Sequence, residues 1–148
     1  MSVIERTIEV GVPVRTAYNQ WTQFETFPQF MEGVERVEQL SDTRTHWKTR
    51  IAGVEREFDA EITKQEPDER IEWCSLDGPD QMGVVSFRPV SYTRTEVNLS
   101  LQFRPEGFTE KLGDATNLVE RRVAGDLERF KDFIEQRGNE TGAWRGEI

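Results

Sequence analysis

One histidine, one cysteine and two tyrosines set narrow limits on the chemistry open to this 148-residue chain. His46 shares its parity with Lys48 and Arg50 in an alternating stretch, which predicts a solvated surface histidine. A histidine-based triad needs a serine or cysteine nucleophile within reach. Cys74 has the opposite parity to Trp73 and no sign of activation, and is expected as a buried, inert thiol. One histidine and one cysteine do not make an ordinary zinc site without carboxylates, so no metal is expected. No glycine-rich phosphate loop or dinucleotide fingerprint is present, and no cofactor is expected. Carboxylates are abundant, but they alternate outward on strands or lie on solvated helix faces, which gives paired-carboxylate catalysis no support. Arg56 shares the parity of Phe58 and so is a candidate inward cation. A guanidinium there would hold a carboxylate or enolate oxygen by two hydrogen bonds. The alternative is an outward ion pair with Glu55 or Glu57. Tyr18 falls on a helical core face and Tyr92 in a turn. Arg56 and Tyr18 are therefore the candidate catalytic residues, and neither belongs to a complete constellation.

The elements that must position these groups are mostly strands. Ile4, Ile8 and Val10 alternate with Glu5, Thr7 and Glu9, as in a half-buried strand, with Arg6 on the apolar parity. From Pro13 the period changes, and Val14, Ala17, Tyr18 and Trp21 share one helical face. Phe24, Phe27, Phe30 and Met31 follow on a segment broken by Pro28, where one or two short helical turns make either a lid or ordinary core. Strands are then expected at 34–40, with uneven spacing that allows a bulge, and at 44–51, 54–65, 70–75, 82–90 and 94–103. Turns or loops fall at Ser41-Asp42-Thr43, Ala52-Gly53, Pro67-Asp68, Asp77-Gly78-Pro79 and Ser91–Thr93, and Arg104-Pro105-Glu106-Gly107 breaks the sheet. Within Thr109–Arg137, Leu112, Ala115, Val119, Val123, Leu127, Phe130 and Ile134 line one face of a long helix. Gly138 stands where a left-handed cap is expected. The connections are too short for parallel crossovers. The fold class is α+β: about seven antiparallel strands curved around one long C-terminal helix, with two short helices after the first strand.

Length favours one domain, residues 1–138, followed by a polar C-terminal tail, 139–148. The formal net charge of −9 argues against nucleic acid or an anionic membrane as the main partner. No run approaches the ~20 apolar residues of a membrane span, and the N-terminus lacks a signal peptide's apolar core. Together with a single cysteine, this predicts a cytoplasmic protein without an internal disulfide. The sequence does not specify an oligomeric state; the edge strand Ser2–Val10 is open to pairing between chains, which Glu5 and Glu9 discourage.

Three stretches carry a family resemblance. Ile8-Glu9-Val10 runs through Val12-Pro13-Val14 into Ala17-Tyr18-Asn19-Gln20-Trp21-Thr22. Phe24-Glu25, Phe27-Pro28 and Phe30-Met31 follow. Arg121-Arg122-Val123 and Asp126-Leu127-Glu128-Arg129-Phe130-Lys131 sit in the last helix. Together they resemble the polyketide cyclase/dehydrase family of the START-like helix-grip superfamily. The resemblance implies a curved sheet gripping the C-terminal helix around an apolar cavity. On the parity reading, Trp47, Arg56, Phe58, Trp73, Phe87, Leu99, Leu101, Val119 and Val123 are the expected ligand-binding residues. The first functional expectation is uptake of a small hydrophobic or aromatic molecule, such as a lipid, a quinone or a polyketide-like compound. The second is a cyclase, aromatase or dehydratase using Arg56 and a tyrosine. The third is a protein-interaction module with its cavity closed by side chains and its Trp144-Arg145 segment on a partner. Fold alone does not choose among them.

Overall fold

Residues 2–51, 53–76, 81–103 and 115–148 are described by a computed structural model. The elements are β1 (Ser2–Val10), α1 (Val14–Trp21), a 3₁₀ helix (Phe24–Gln29), β2 (Val34–Gln39), β3 (Arg44–Ile51), β4 (Val54–Glu66), β5 (Arg70–Ser75), β6 (Gln81–Ser91), β7 (Arg94–Phe103) and α2 (Ala115–Arg137). Seven antiparallel strands form one sheet in the order β1-β7-β6-β5-β4-β3-β2. Strands β2 to β7 are a meander, because each short turn returns the chain beside the strand just made. β1 pairs with β7, so β1 and β2 lie at opposite edges. Residues 11–33 therefore carry the chain, through α1 and the 3₁₀ helix, from one edge to the other. The fold is the expected α+β arrangement.

Alternation sets the faces. On β7, Val97, Leu99 and Phe103 are buried and Leu101 is half-buried, while Glu96, Asn98 and Ser100 stay partly in water. The uneven spacing in β2 has a cause: the register slips between Val34 and Arg36, as a bulge does. A second slip in β4, between Ile62 and Lys64, lets both Ile62 and Gln65 be buried although they are an odd number of residues apart. Cys74 is half-buried and faces outward beside Met82, so the expectation of a buried thiol is corrected. Trp73 takes the inward position, and the strand period sends its neighbour out.

On α2, Val123, Leu127, Phe130 and Ile134 are buried at steps of three and four. Gly138 has φ +75° and donates its N–H to the Ile134 carbonyl at 2.9 Å. A left-handed C′ residue ends the helix in this way. The expected helix start at 109–114, including Leu112, lies outside the described residues, as do Ala52, the 77–80 loop and the 104–108 break. Nothing is described of Ala115's side chain.

The C-terminal half of α2 is packed solid. The Trp21 ring lies 5.3 Å from both Phe27 and Phe130, and Phe30 lies 5.3 Å from Phe130 and 5.2 Å from Phe133. Such aromatic pairs contribute about 0.5–1.5 kcal/mol each beyond burial. Helix α2 is tied to β1 by Arg6–Glu120 at 2.6 Å, by Gly11 N–H to Glu135 at 2.7 Å and by Lys131 to the Glu9 carbonyl at 3.3 Å.

Residues 139–148 lie against α1 and β4. Gln20 donates to Thr141 Oγ1 at 3.1 Å and accepts the Thr141 N–H at 2.9 Å. Asn19 donates to Glu140 and accepts from Arg145, each at 2.7 Å. Ile148 and Gln65 exchange both backbone hydrogen bonds, at 3.0 and 3.2 Å. Three polar residues in and just after α1, Asn19, Gln20 and Thr22, are thereby buried with partners. Buried polar groups require such partners.

Candidate functional site

Between the inward face of the sheet and the N-terminal half of α2 lies a cavity of about 170 Å³. Its floor is a row of side chains running across neighbouring strands. Leu101 on β7 stands opposite Gly83 on β6, and Gly83 stands opposite Trp73 on β5. A Cβ at Gly83 would sit 2.3 Å from Cζ2 of Trp73. The indole therefore fills the volume of the side chain that glycine lacks. Any other residue at 83 would push the indole, and into the space that the cavity occupies. Glycine in a strand interior is weakening; here it makes room for the largest side chain of the floor.

A second wall comes from Trp47 on β3 and Phe58 on β4, a cross-strand pair stacked at 6.2 Å with planes 5° apart. The roof is Val119, Val123 and Leu127 on α2, and the front is Phe27 and Met31. These last two come from the proline-broken segment, so Pro28 serves the site by stopping a longer helix and turning its flanking apolar residues back over the sheet.

Five polar side chains interrupt this lining: Thr49, Arg56, Gln81, Arg122 and Asp126. Thr49 and Arg56 are cross-strand partners, and Thr49 also pairs with Val34. Arg122 Nη1 lies 3.3 Å from the Glu32 carboxylate. Asp126 accepts the Glu32 backbone N–H at 3.1 Å and a hydrogen bond from Arg129. Burial pushes the Asp126 carboxyl above the usual aspartate range, against the pull of the Arg129 guanidinium and the Glu32 amide.

Of the residues singled out from sequence, Trp47, Arg56, Phe58, Trp73, Leu99, Leu101, Val119 and Val123 come together on the cavity wall. Phe87 and Tyr18 lie outside it. Phe87 has the right parity but stands near the far end of β6, where its ring meets Tyr18 edge-on at 5.5 Å. Tyr18 is fully buried there, with the Arg145 guanidinium 5.6 Å above its ring. Burial raises its phenol above the ordinary tyrosine value, and neighbouring Gln65 and Arg145 draw it back. In that position it reaches no reacting atom in the cavity.

Sequence reasoning missed Arg122, Asp126 and Leu127 as wall residues. The signal was present: 119, 122, 123, 126 and 127 are one helical face, and of these only Val119 and Val123 were singled out for the cavity. His46 is half-exposed on the outer face, between Asp59 at 2.6 Å and Glu57 at 3.1 Å. Among the described residues no group of three or more His, Cys, Asp and Glu is placed to hold a metal ion, and no helix is long and apolar enough to cross a membrane.

Residues 10–132 match the family described as polyketide cyclase / dehydrase and lipid transport. The chain belongs to that family. A 17.2 kDa protein of Streptomyces lincolnensis, encoded in the melC2–rnhH intergenic region, is 60% identical over 149 residues, covering 100% of this chain and 99% of its own. Among solved structures, a START superfamily protein of Mycobacterium smegmatis superposes with TM-score 0.69 at 17% identity, over 91% of this chain and 95% of the other. The Zhui aromatase/cyclase of a Streptomyces species superposes with TM-score 0.77 at 17% identity, over 97% and 99% of the two chains. At those identities the two structures establish the helix-grip fold. Family membership supports a ligand-binding or polyketide-cyclase role.

Proposed function

We propose that this polyketide cyclase/dehydrase family member takes up a small apolar or aromatic ligand between its sheet and α2. The observation that carries this reading is the cavity of about 170 Å³ walled by Trp47, Phe58, Trp73, Leu101 and Val123. An apolar cavity of roughly 150 Å³ stays dry and takes up benzene, so a one- or two-ring molecule matches this one. The walls are held by packing at the front, in the Trp21 cluster, and below, in the Trp73–Gly83 contact. Such a space is largely formed before the ligand arrives, which lowers the ordering cost of binding.

A cyclase reading is supported by one specific feature, the carboxyl of Asp126 in the lining with its pKa raised by burial. A carboxyl tuned toward neutrality suits general acid–base work. In that reading Asp126 moves the proton and Arg56 holds the enolate oxygen, both on a poly-keto or aromatic substrate in the same cavity.

Native mass spectrometry of the protein as purified, followed by organic extraction, tests the binding reading. The expected result is a near-stoichiometric apolar adduct lost on extraction, or saturable uptake of a neutral two-ring alcohol by the extracted protein. A clean mass combined with no uptake across a panel of neutral one- and two-ring probes overturns it.

A further inference from the structure

Three side chains stand in line on α2 at steps of four and three: Arg122, Asp126 and Arg129. They face residues 30–32, where the 3₁₀ segment gives way to β2. Arg129 Nε donates to the Phe30 carbonyl at 3.0 Å, Asp126 accepts the Glu32 N–H, and the Glu32 carboxylate lies 3.3 Å from Arg122 and 3.5 Å from Arg129. Asp126 and Arg129 are also joined directly. Met31, Gly33 and Val34, on either side of Glu32, line the cavity, as do Arg122 and Asp126. Thr49 and Arg56 stand beside Val34 across the next two strands. The polar groups of the lining, Gln81 apart, are thus gathered at one end of an otherwise apolar space.

The pairing at this end is uneven. Of the cations in the described ion pairs, Arg122 is the least exposed, at 19% of its side chain, and it is joined to the most exposed acid, Glu32, at 65%. The N···O approach of 3.3 Å is long for a charge-assisted pair. A guanidinium largely withdrawn from water has lost hydration that a solvated carboxylate restores poorly. An acid arriving from inside the cavity would meet Arg122 without water between them, in the planar geometry that guanidinium matches bidentately. Asp126, one turn along, accepts from both Arg129 and the Glu32 N–H on a single oxygen, Oδ1, and its charge also acts on Arg122.

Resting on the ligand-binding reading, we infer that the ligand is an amphipathic acid. Its apolar body lies on the Trp73–Gly83 floor, and its carboxylate or other ionised oxygen reaches Arg122, which exchanges Glu32 for it. Arg122 then selects for charge, and the aromatic walls select for shape.

Calorimetric titration near neutral pH with 2-naphthoate and with its neutral counterpart 2-naphthalenemethanol tests this. The acid is expected to bind about tenfold tighter than the alcohol, as one charge-assisted pair allows. Arg122→Met is expected to weaken naphthoate by about tenfold while leaving the alcohol within about twofold. Glu32→Gln, which keeps the segment's shape, is expected to tighten naphthoate and leave the alcohol unchanged, and it carries the test should Arg122→Met fail to fold. Equal binding of acid and alcohol, unchanged in the variants, overturns the charge assignment and leaves cavity binding standing. Failure of both probes to bind overturns the ligand-binding reading and this inference with it.

Discussion

Polar residues in this protein are informative according to which face of the sheet they occupy. His46 is on the outer face, where Asp59 and Glu57 take its two ring nitrogens. Its pKa is raised, first by the hydrogen bond to Asp59 and then by that to Glu57. Both bonds favour the protonated ring, which donates to each. A group whose folded pKa lies above the unfolded value near 6.5 contributes fully below that value, and its contribution is lost as pH rises through the folded pKa. The stability gap between wild type and His46→Gln, measured by urea denaturation across pH, is therefore expected to be widest on the acid side of neutrality, while the carboxylates remain ionised. It should close toward alkaline pH, and a gap that widens there would contradict the assignment. The solitary histidine tunes the β3–β4 pairing from outside and takes no part in the cavity.

Helix α2 divides into two functions along its length. Its C-terminal half, with Phe130 and Ile134 fully buried, closes the core against Trp21 and Phe30. Its N-terminal half, with Val119 and Val123, roofs the cavity. The C-terminal segment is a third layer at the far end, where Arg145 meets Asp68 at 2.8 Å and Asn19 at 2.7 Å. Deleting residues 140–148 removes nine hydrogen bonds to Asn19, Gln20, Thr22, Gln65 and Asp68, which even at about 0.5 kcal/mol each cost on the order of 4 kcal/mol. For a chain of this size that predicts a fall in the thermal midpoint of roughly 8–16 °C. Arg145→Ala alone, at a partly exposed pair, is expected to cost about 1 kcal/mol. A truncated chain that melts with the full one would mean these contacts contribute nothing in solution. Strand parity was enough to place Trp47, Phe58, Trp73 and Leu101 on the face toward α2, because the strand period is two and burial is one-sided. It was not enough for Phe87, because parity gives a side and not a position along the strand. The slip between Ile62 and Lys64, which turns Gln65 inward, depends on how β5 pairs with β4 and leaves no mark in composition. Apart from the Gln20–Thr26 bond, the side-chain partners of Asn19 and Gln20 lie more than a hundred residues away, so the closed fold reveals why a core helix face carries amides.

At the scale of the whole molecule the cavity is a cost. In an enclosed core residual cavity volume lowers stability by about 24 cal/mol per Å³, so roughly 4 kcal/mol is an upper bound for a space of about 170 Å³ that is partly open to solvent. Even part of that is appreciable against the 5–15 kcal/mol by which domains are usually stable. Retaining such a space suits a protein whose activity needs it, and the same argument predicts what filling it does. Leu101 stands beside Gly83 and next to β1, with its side chain on the cavity wall. Leu101→Phe adds ring volume where there is room, so the usual overpacking cost of about 1–3 kcal/mol should not appear. The expected outcome is a thermal midpoint equal to or above wild type by a few degrees, as stabilising changes at functional sites often give. Binding of 2-naphthalenemethanol should fall at least about tenfold in the same protein. Gly83→Ala is the contrasting case. It removes space by forcing Trp73 upward, and it should lose binding and stability together. If Leu101→Phe instead destabilised the fold and left binding intact, the space beside Trp73 would belong to ordinary packing, and the ligand would have to be sought elsewhere.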